Sequence, residues 1–293
     1  MAAWRSICSD WVFKTPTDNT RPIDLQAGCE RGRRQSEDTL LAPRETIQLV
    51  SHCLPTPPQH IAQFRFSDDL RRFGPTVWED AKGLANPENA LILGFSLAAA
   101  IGIRHDLDDQ VRESTEANPL RWGEASRALG ALGEAQYQVP ILFAVWGHSV
   151  HTHDPYAHSF SEALISAYTI SGLSTLAIKG VTNTDRPDSD WNNGQWGFPS
   201  FHAASTFTMA AVLEEYYGWE LGIPAYTLAG LISWSRIDER DHDLSDVVFG
   251  AAMGWLIGKS VAGQHLRDDG RVRLMPWVHP FDGAAGVRVD ASF

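Results

Sequence analysis

Lys179-Gly180-Val181-Thr182-Asn183-Thr184-Asp185-Arg186-Pro187, then Phe198-Pro199-Ser200-Phe201-His202-Ala203, then Ser235-Arg236-Ile237-Asp238-Glu239-Arg240-Asp241-His242-Asp243-Leu244-Ser245-Asp246 form three polar segments set between apolar runs. Lys179 closes one such run, and Arg186 follows beside Pro187, whose ring fixes the local backbone. Two cations at a helix end suit a dianionic ligand, and a guanidinium can hold two of its oxygens at once. Ser200 and His202 precede an apolar run over 203–217, so a hydroxyl and backbone N–H groups at that helix start would face an anion. His242 and Asp246 are spaced for one helical face, where a carboxylate holds the imidazole in one tautomer and leaves its other nitrogen free. Arg236 supplies a third cation. Singly, each feature has an ordinary reading: solvated charges at a helix end, a capped histidine, a surface pair worth a few tenths of a kcal/mol. Their order and spacing together point to a phosphate pocket. Asp238, Glu239, Asp241 and Asp243 are expected to point to solvent, since facing inward they would raise the His242 pKa and discourage anions.

The three segments resemble the signature of the type 2 phosphatidic acid phosphatase / vanadium haloperoxidase superfamily: Lys, six residues, Arg-Pro; then Pro-Ser-Gly-His; then Ser-Arg, five residues, His, three residues, Asp. One position departs, with Phe201 where Gly is usual. The resemblance implies an all-α bundle and a phosphoric ester hydrolase acting on phosphate monoesters or pyrophosphates, with lipid-linked ones first. It further implies that His242 attacks phosphorus to form a phosphohistidine, that Asp246 orients its ring, and that His202 protonates the leaving oxygen and later activates water. Lys179, Arg186 and Arg236 would bind the phosphoryl oxygens, with Ser200 and the N–H of Phe201 completing the cradle. No metal or other cofactor is implied for hydrolysis. In the haloperoxidase alternative the same pocket takes vanadate, with His242 as its ligand. Glycine gives close approach and positive φ; phenylalanine still donates its N–H and can wall the pocket for an apolar substrate. If conformation is what matters there, a silent phosphate- or lipid-binding protein is a further alternative. By the same resemblance the location is a bacterial-type cell envelope, periplasmic or membrane-associated.

Outward from these segments the pattern is helical. Runs over 203–217 and 223–234 lie between them, and another over 246–261 follows. Upstream, Ser159 and Glu162 read as a capping box opening a buried helix to residue 178. Before it come a His-rich stretch, 147–159, read as a loop, apolar segments at 139–146, 122–132 and 90–103, and a short amphipathic helix from Phe73 to Leu84. These make a mainly helical bundle over 61–262. Residues 1–60, with Pro55-Thr56-Pro57-Pro58, read as a poorly ordered leader, and 263–293, with Gly286-Val287-Arg288-Val289-Asp290, as a tail of short extended pieces.

Composition bounds the partners. With 293 residues, 43% apolar, and a formal charge of −12, the chain can build a core but lacks the basic surface a nucleic-acid backbone requires. A few focused cations can still hold a small phosphate ester or the headgroup of a lipid phosphate. Residues 1–45 contain no apolar run of signal-peptide length. The best uncharged stretches, 89–103, 163–178 and 221–235, are roughly 15–16 residues against the ~20 a span needs. That shortfall, with a mean hydropathy of −0.22, favours a soluble or peripherally attached protein. Cys8, Cys29 and Cys53 have no metal-ligand spacing, the cluster Asp106, Asp108 and Asp109 lacks a calcium loop's pattern, and His148, His151, His153, Asp154 and His158 show no helical His–His spacing. No metal site is expected.

Overall fold

The computed structural model describes residues 64–187 and 194–268 and two strands beyond them. The expected leader, 1–60, lies outside these described residues. Nine helices follow in order: α1 Phe66–Gly83, α2 Pro87–Asp106, α3 Asp108–Ala117, α4 Glu124–Leu132, α5 Ala135–Thr152, α6 Pro155–Thr182, α7 Phe201–Tyr217, α8 Trp219–Asp238 and α9 Leu244–Asp268. An antiparallel ribbon of β1 Arg273–Val278 and β2 Ala285–Asp290 closes the described chain, Arg273 opposite Asp290 and Val278 opposite Ala285. The all-α bundle with an extended tail is therefore as the sequence led us to expect.

The core lies where α6, α7 and α9 meet. Ala163, Ala167, Ala204, Val212, Val261 and Ala262 are fully enclosed there. Small residues predominate because the helices approach closely. A Cβ on Gly254 would lie 2.1 Å from the Ala204 carbonyl oxygen, so only glycine admits the α7 backbone; Gly250 and Gly258, one turn to either side, meet the carbonyls of Ser200 and Thr208. Thr208 Oγ1 also reaches across to the Gly254 carbonyl at 3.0 Å.

Several boundaries differ from the sequence reading. The His-rich stretch is not a loop: α5 runs to Thr152 and α6 starts at Pro155, with only His153 and Asp154 between. His153 takes the left-handed conformation at φ 53°, and Asp154 caps α6 through Tyr156 N at 2.9 Å. Asp154-Pro155 is thus the true helix start, an aspartate cap with proline at the first position, and Ser159 lies a turn inside. α1 begins well before Phe73 and carries Pro75 within it.

Helix length also changes the membrane question. α6 has 28 residues and α9 has 25, because each continues through polar residues beyond its uncharged stretch. Both are long and apolar enough to cross a membrane, so the shortfall expected from the uncharged runs does not hold.

Candidate active site

The three polar segments converge at the ends of α6, α7 and α8 and the start of α9. Lys179, 5% exposed, sits in the last turn of α6 and donates from Nζ to the carbonyls of Trp196 (2.5 Å) and Gly197 (3.0 Å). Arg186 lies in the segment after α6, where its backbone N–H meets the Gly194 carbonyl and its Nη2 the Trp196 carbonyl. Residues 194–197 therefore bridge the two cations. Arg236 comes from the last turn of α8 and is buried, and its Nε has no hydrogen-bond partner.

Ser200 caps α7, is fully buried, and donates its N–H to the Asp246 carbonyl at 3.0 Å. That bond ties the start of α7 to the start of α9. Phe201 is the first residue of α7 and is absent from the positive-φ positions, so this backbone does not require glycine there. Its side chain packs on the core and meets Tyr168 edge-on at 6.0 Å. Next to it, His202 is partly exposed as a residue, but its Nε2 is buried and without a partner.

His242, 3% exposed, lies in the turn before α9 and not on a helical face. Its Nδ1 is 3.3 Å from Asp246 Oδ2, which also accepts the N–H of Asp243 at 3.1 Å. The contact is made across a helix N-terminus, where the carboxylate caps α9 and holds the ring together. Burial first, then the positive charges of Lys179, Arg186 and Arg236, hold the His242 pKa well below 6.5, against an opposing hydrogen bond to the Gly197 backbone. Burial, then Arg236 and His242, does the same for His202. Burial, against the pull of Asp246, lowers the Arg186 guanidinium to about 10. All eight residues singled out in the sequence thus lie in or beside one cationic cluster with two neutral imidazoles.

The acidic residues of the α8–α9 turn do not face free solvent, contrary to expectation. Asp238 accepts the N–H groups of Arg121 and Trp122 and the Ser126 hydroxyl. Asp243 forms a two-pronged pair with Arg112 at 2.6 and 2.5 Å. Glu239 pairs with Arg236 Nη1 at 2.9 Å. Asp241 contacts Arg236 Nη2, and its carboxylate is 3.8 Å from Arg186 Nη1, which donates to the Asp241 carbonyl at 3.1 Å. The physical reason is charge: a turn flanked by buried arginines draws in its own carboxylates. Asp108, likewise, accepts the N–H and hydroxyl of Ser245, anchoring α3 to the start of α9. Gly133, between α4 and α5, was not singled out either; a Cβ there would lie 2.5 Å from His202 Cδ2, so its absence admits the ring.

Comparison with known proteins bears on this geometry. The PAP2 superfamily model matches residues 162–268, from within α6 to the end of α9, which takes in every residue of the cluster. Over that stretch the chain is similar to the PAP2 superfamily. The chain is 26% identical over 204 residues to the lipid A 1-phosphatase of Porphyromonas gingivalis, covering 66% of this chain and 42% of that protein. It is 33% identical over 88 residues to the lipid A 4'-phosphatase of Helicobacter pylori, covering 30% of this chain and 44% of that one. The chain therefore spans less than half the length of the curated relatives it matches. The PAP2 fold is shared with a transmembrane phosphatidylglycerolphosphate phosphatase from Bacillus subtilis, at a TM-score of 0.52 and 18% identity over 60% of this chain and 94% of that one.

Proposed function

We propose that this chain is a metal-independent phosphatase that hydrolyses phosphate monoesters on membrane lipids through a phosphohistidine. The observation that carries the reading is the convergence of Lys179, Arg186 and Arg236 on a buried, neutral His242 backed by Asp246. With its Nδ1–H given to Asp246, His242 presents Nε2 as the nucleophile. The P–N bond forms as the P–O bond to the lipid breaks, and His202 gives that oxygen a proton. A bound phosphate dianion offsets the surrounding cations and raises the proton affinity of His202, which equips it for this step. Water then attacks phosphorus with His202 as base, and the P–N bond breaks. The partnerless Nε2 of His202 and Nε of Arg236 are the groups that such a ligand would satisfy.

Two further features support a lipid substrate. Leu91, Phe95 and Ile101 on α2 and Leu173, Leu176 and Val181 on α6 are exposed, an apolar extent that suits acyl chains better than water. A groove of about 590 Å³ between α1, α2, α6 and α9 is lined by Leu93, Leu97, Ile178, Phe249 and Met253. The Phe249 ring lies 4.8 Å from that of Phe198, two residues before Ser200. The relatives named lipid A phosphatases favour a phosphorylated glycolipid, and α6 and α9 then lie in the bilayer.

The test is phosphate release from a phosphorylated lipid in detergent micelles and from a soluble aryl phosphate, both in excess chelator. Release from the lipid at least about tenfold faster is expected, as remote binding energy is used at the reacting centre. No release from either ends the reading. Vanadate should inhibit; vanadate-dependent halide oxidation would place the chain with the haloperoxidases instead.

Asp241 competes for the arginines a phosphoryl group would use. Asp241→Asn should therefore tighten inhibition by inorganic phosphate about tenfold, or roughly 1.4 kcal/mol. Unchanged inhibition would mean that its carboxylate stands clear of the bound ligand.

A further inference from the structure

At the opposite end of α6 from Lys179, about 30 Å away at 1.5 Å per residue, a second cluster takes no part in phosphate chemistry. Asp69 of α1 and His158 and Glu162 of α6 each offer a ligand atom, all within 4.8 Å of one another. His158 Nε2 is 3.5 Å from Asp69 Oδ1 and 3.5 Å from Glu162 Oε1, its side chain is 4% exposed, and Nε2 has no hydrogen-bond partner.

Neighbouring bonds orient the ring and fix the role of Nδ1. Ser149 Oγ donates to the Trp146 carbonyl at 2.7 Å, and Ser161 Oγ to the His158 carbonyl at 2.8 Å. Both hydroxyl protons are committed, so Ser149 Oγ, 3.2 Å from His158 Nδ1, can only accept there. Nδ1 then bears a hydrogen, which leaves Nε2 as the ring atom that faces the two carboxylates. Two carboxylates converging on a buried imidazole nitrogen suit a cation among them. Asp69 is oriented in the same manner, its Oδ2 held by Trp146 Nε1 at 3.0 Å while Oδ1 turns to the imidazole. A histidine whose second nitrogen is hydrogen-bonded, beside a carboxylate that is itself held, is the arrangement that tunes a metal ligand. Phe64 stacks on the imidazole at 3.8 Å and shields it from one side.

We propose that Asp69, His158 and Glu162 bind one divalent transition-metal ion, of the zinc or manganese kind, which joins α1 to α6 away from the catalytic cluster. One nitrogen and two carboxylates, with water completing the shell, match that class. Arg72 is the competitor: its Nη2 lies 2.8 Å from Asp69 Oδ1 and 3.6 Å from Glu162 Oε1. Its side chain is 59% exposed, so it can retract to solvent when the ion enters.

The experiment is calorimetric titration of Zn2+, and separately Mn2+, into chelator-stripped full-length protein, with thermal unfolding alongside. Saturable binding of one ion per chain and a raised Tm are expected. Ser149→Ala, which removes the hydrogen bond orienting the ring, should weaken binding about 10–100-fold, and Glu162→Gln at least as much. Glu162 is partly exposed, so that variant should fold. Arg72→Met should bind more tightly. Absence of saturable binding by both metals overturns the proposal, and so does affinity unchanged in Glu162→Gln, which would place the ion on other groups such as the cysteines. Weaker binding in Arg72→Met overturns it as well. Lipid phosphate hydrolysis should be the same with and without the ion, separating this site from the catalytic one.

Discussion

His242→Ala should lower kcat/KM for every phosphate substrate by a factor on the order of 10⁴ or more, while the melting temperature moves little. The size follows from the role: no other neutral nitrogen in the cluster has both an orienting carboxylate and surrounding cations. Burial and the charges of Lys179, Arg186 and Arg236 keep the imidazole unprotonated, so the attacking lone pair is present at neutral pH. The sign for pH follows. Protonation disables the nucleophile, and because its pKa is depressed, the acid limb of kcat/KM that belongs to His242 should lie below pH 6.5, while loss of the His202 proton sets the opposite limb. Phosphate-release assays across pH, with a labelled phosphoenzyme sought under alkaline quench, would check both points. A variant keeping more than about a hundredth of the activity would remove His242 from the nucleophile's role.

Asp246→Asn should cost about 10³–10⁴ in kcat with KM nearly unchanged. The carboxylate oxygen that accepts from Asp243 N lies 3.3 Å from His242 Nδ1, and in the proposed role it accepts from that nitrogen as well. An asparagine fills the space but can turn its NH₂ towards the ring. The imidazole then carries its hydrogen on Nε2 and has no lone pair for phosphorus. This differs from loss of an anchoring cation: Arg186→Gln would raise KM as well, since phosphate binding itself weakens. If Asp246→Asn instead raised KM at constant kcat, its carboxylate would be shaping the cradle and not the ring. Its other oxygen, Oδ1, is buried without a partner, so the effect is concentrated in Oδ2.

How much of this was legible in sequence depends on how each feature is encoded. The candidate site residues fall in three short segments with fixed spacing, so Lys179, Arg186, Ser200, His202, Arg236, His242 and Asp246 could be read together. The α5–α6 boundary could not, because histidines are compatible with helix and loop alike; the cue was Asp154-Pro155, a cap and a first-turn proline that the Ser159–Glu162 pattern obscured. The inward turn of Glu239 and Asp241 was hidden for another reason. A charge run reads as solvated until the arginines opposite are known to be buried. The cluster of Asp69, His158 and Glu162 draws on helices far apart in sequence, and only packing brings α1 against α6. Of the histidines 148, 151, 153 and 158, the first three are exposed and only the last is enclosed. Phe201 proved simpler than its departure from the pattern suggested, since a helical first residue accepts any side chain.

The glycine row of α9 has a consequence for how this fold can diversify. Gly250, Gly254 and Gly258 set α9 directly on the carbonyls of α7, so the gap between the two helix starts is gauged by main chain touching main chain. Side chains elsewhere can swell or shrink without altering that gauge. The groove walls are then free to vary while the spacing of His242 and His202 is inherited intact, and a methyl added at Gly254 should blunt activity on every phosphate substrate alike.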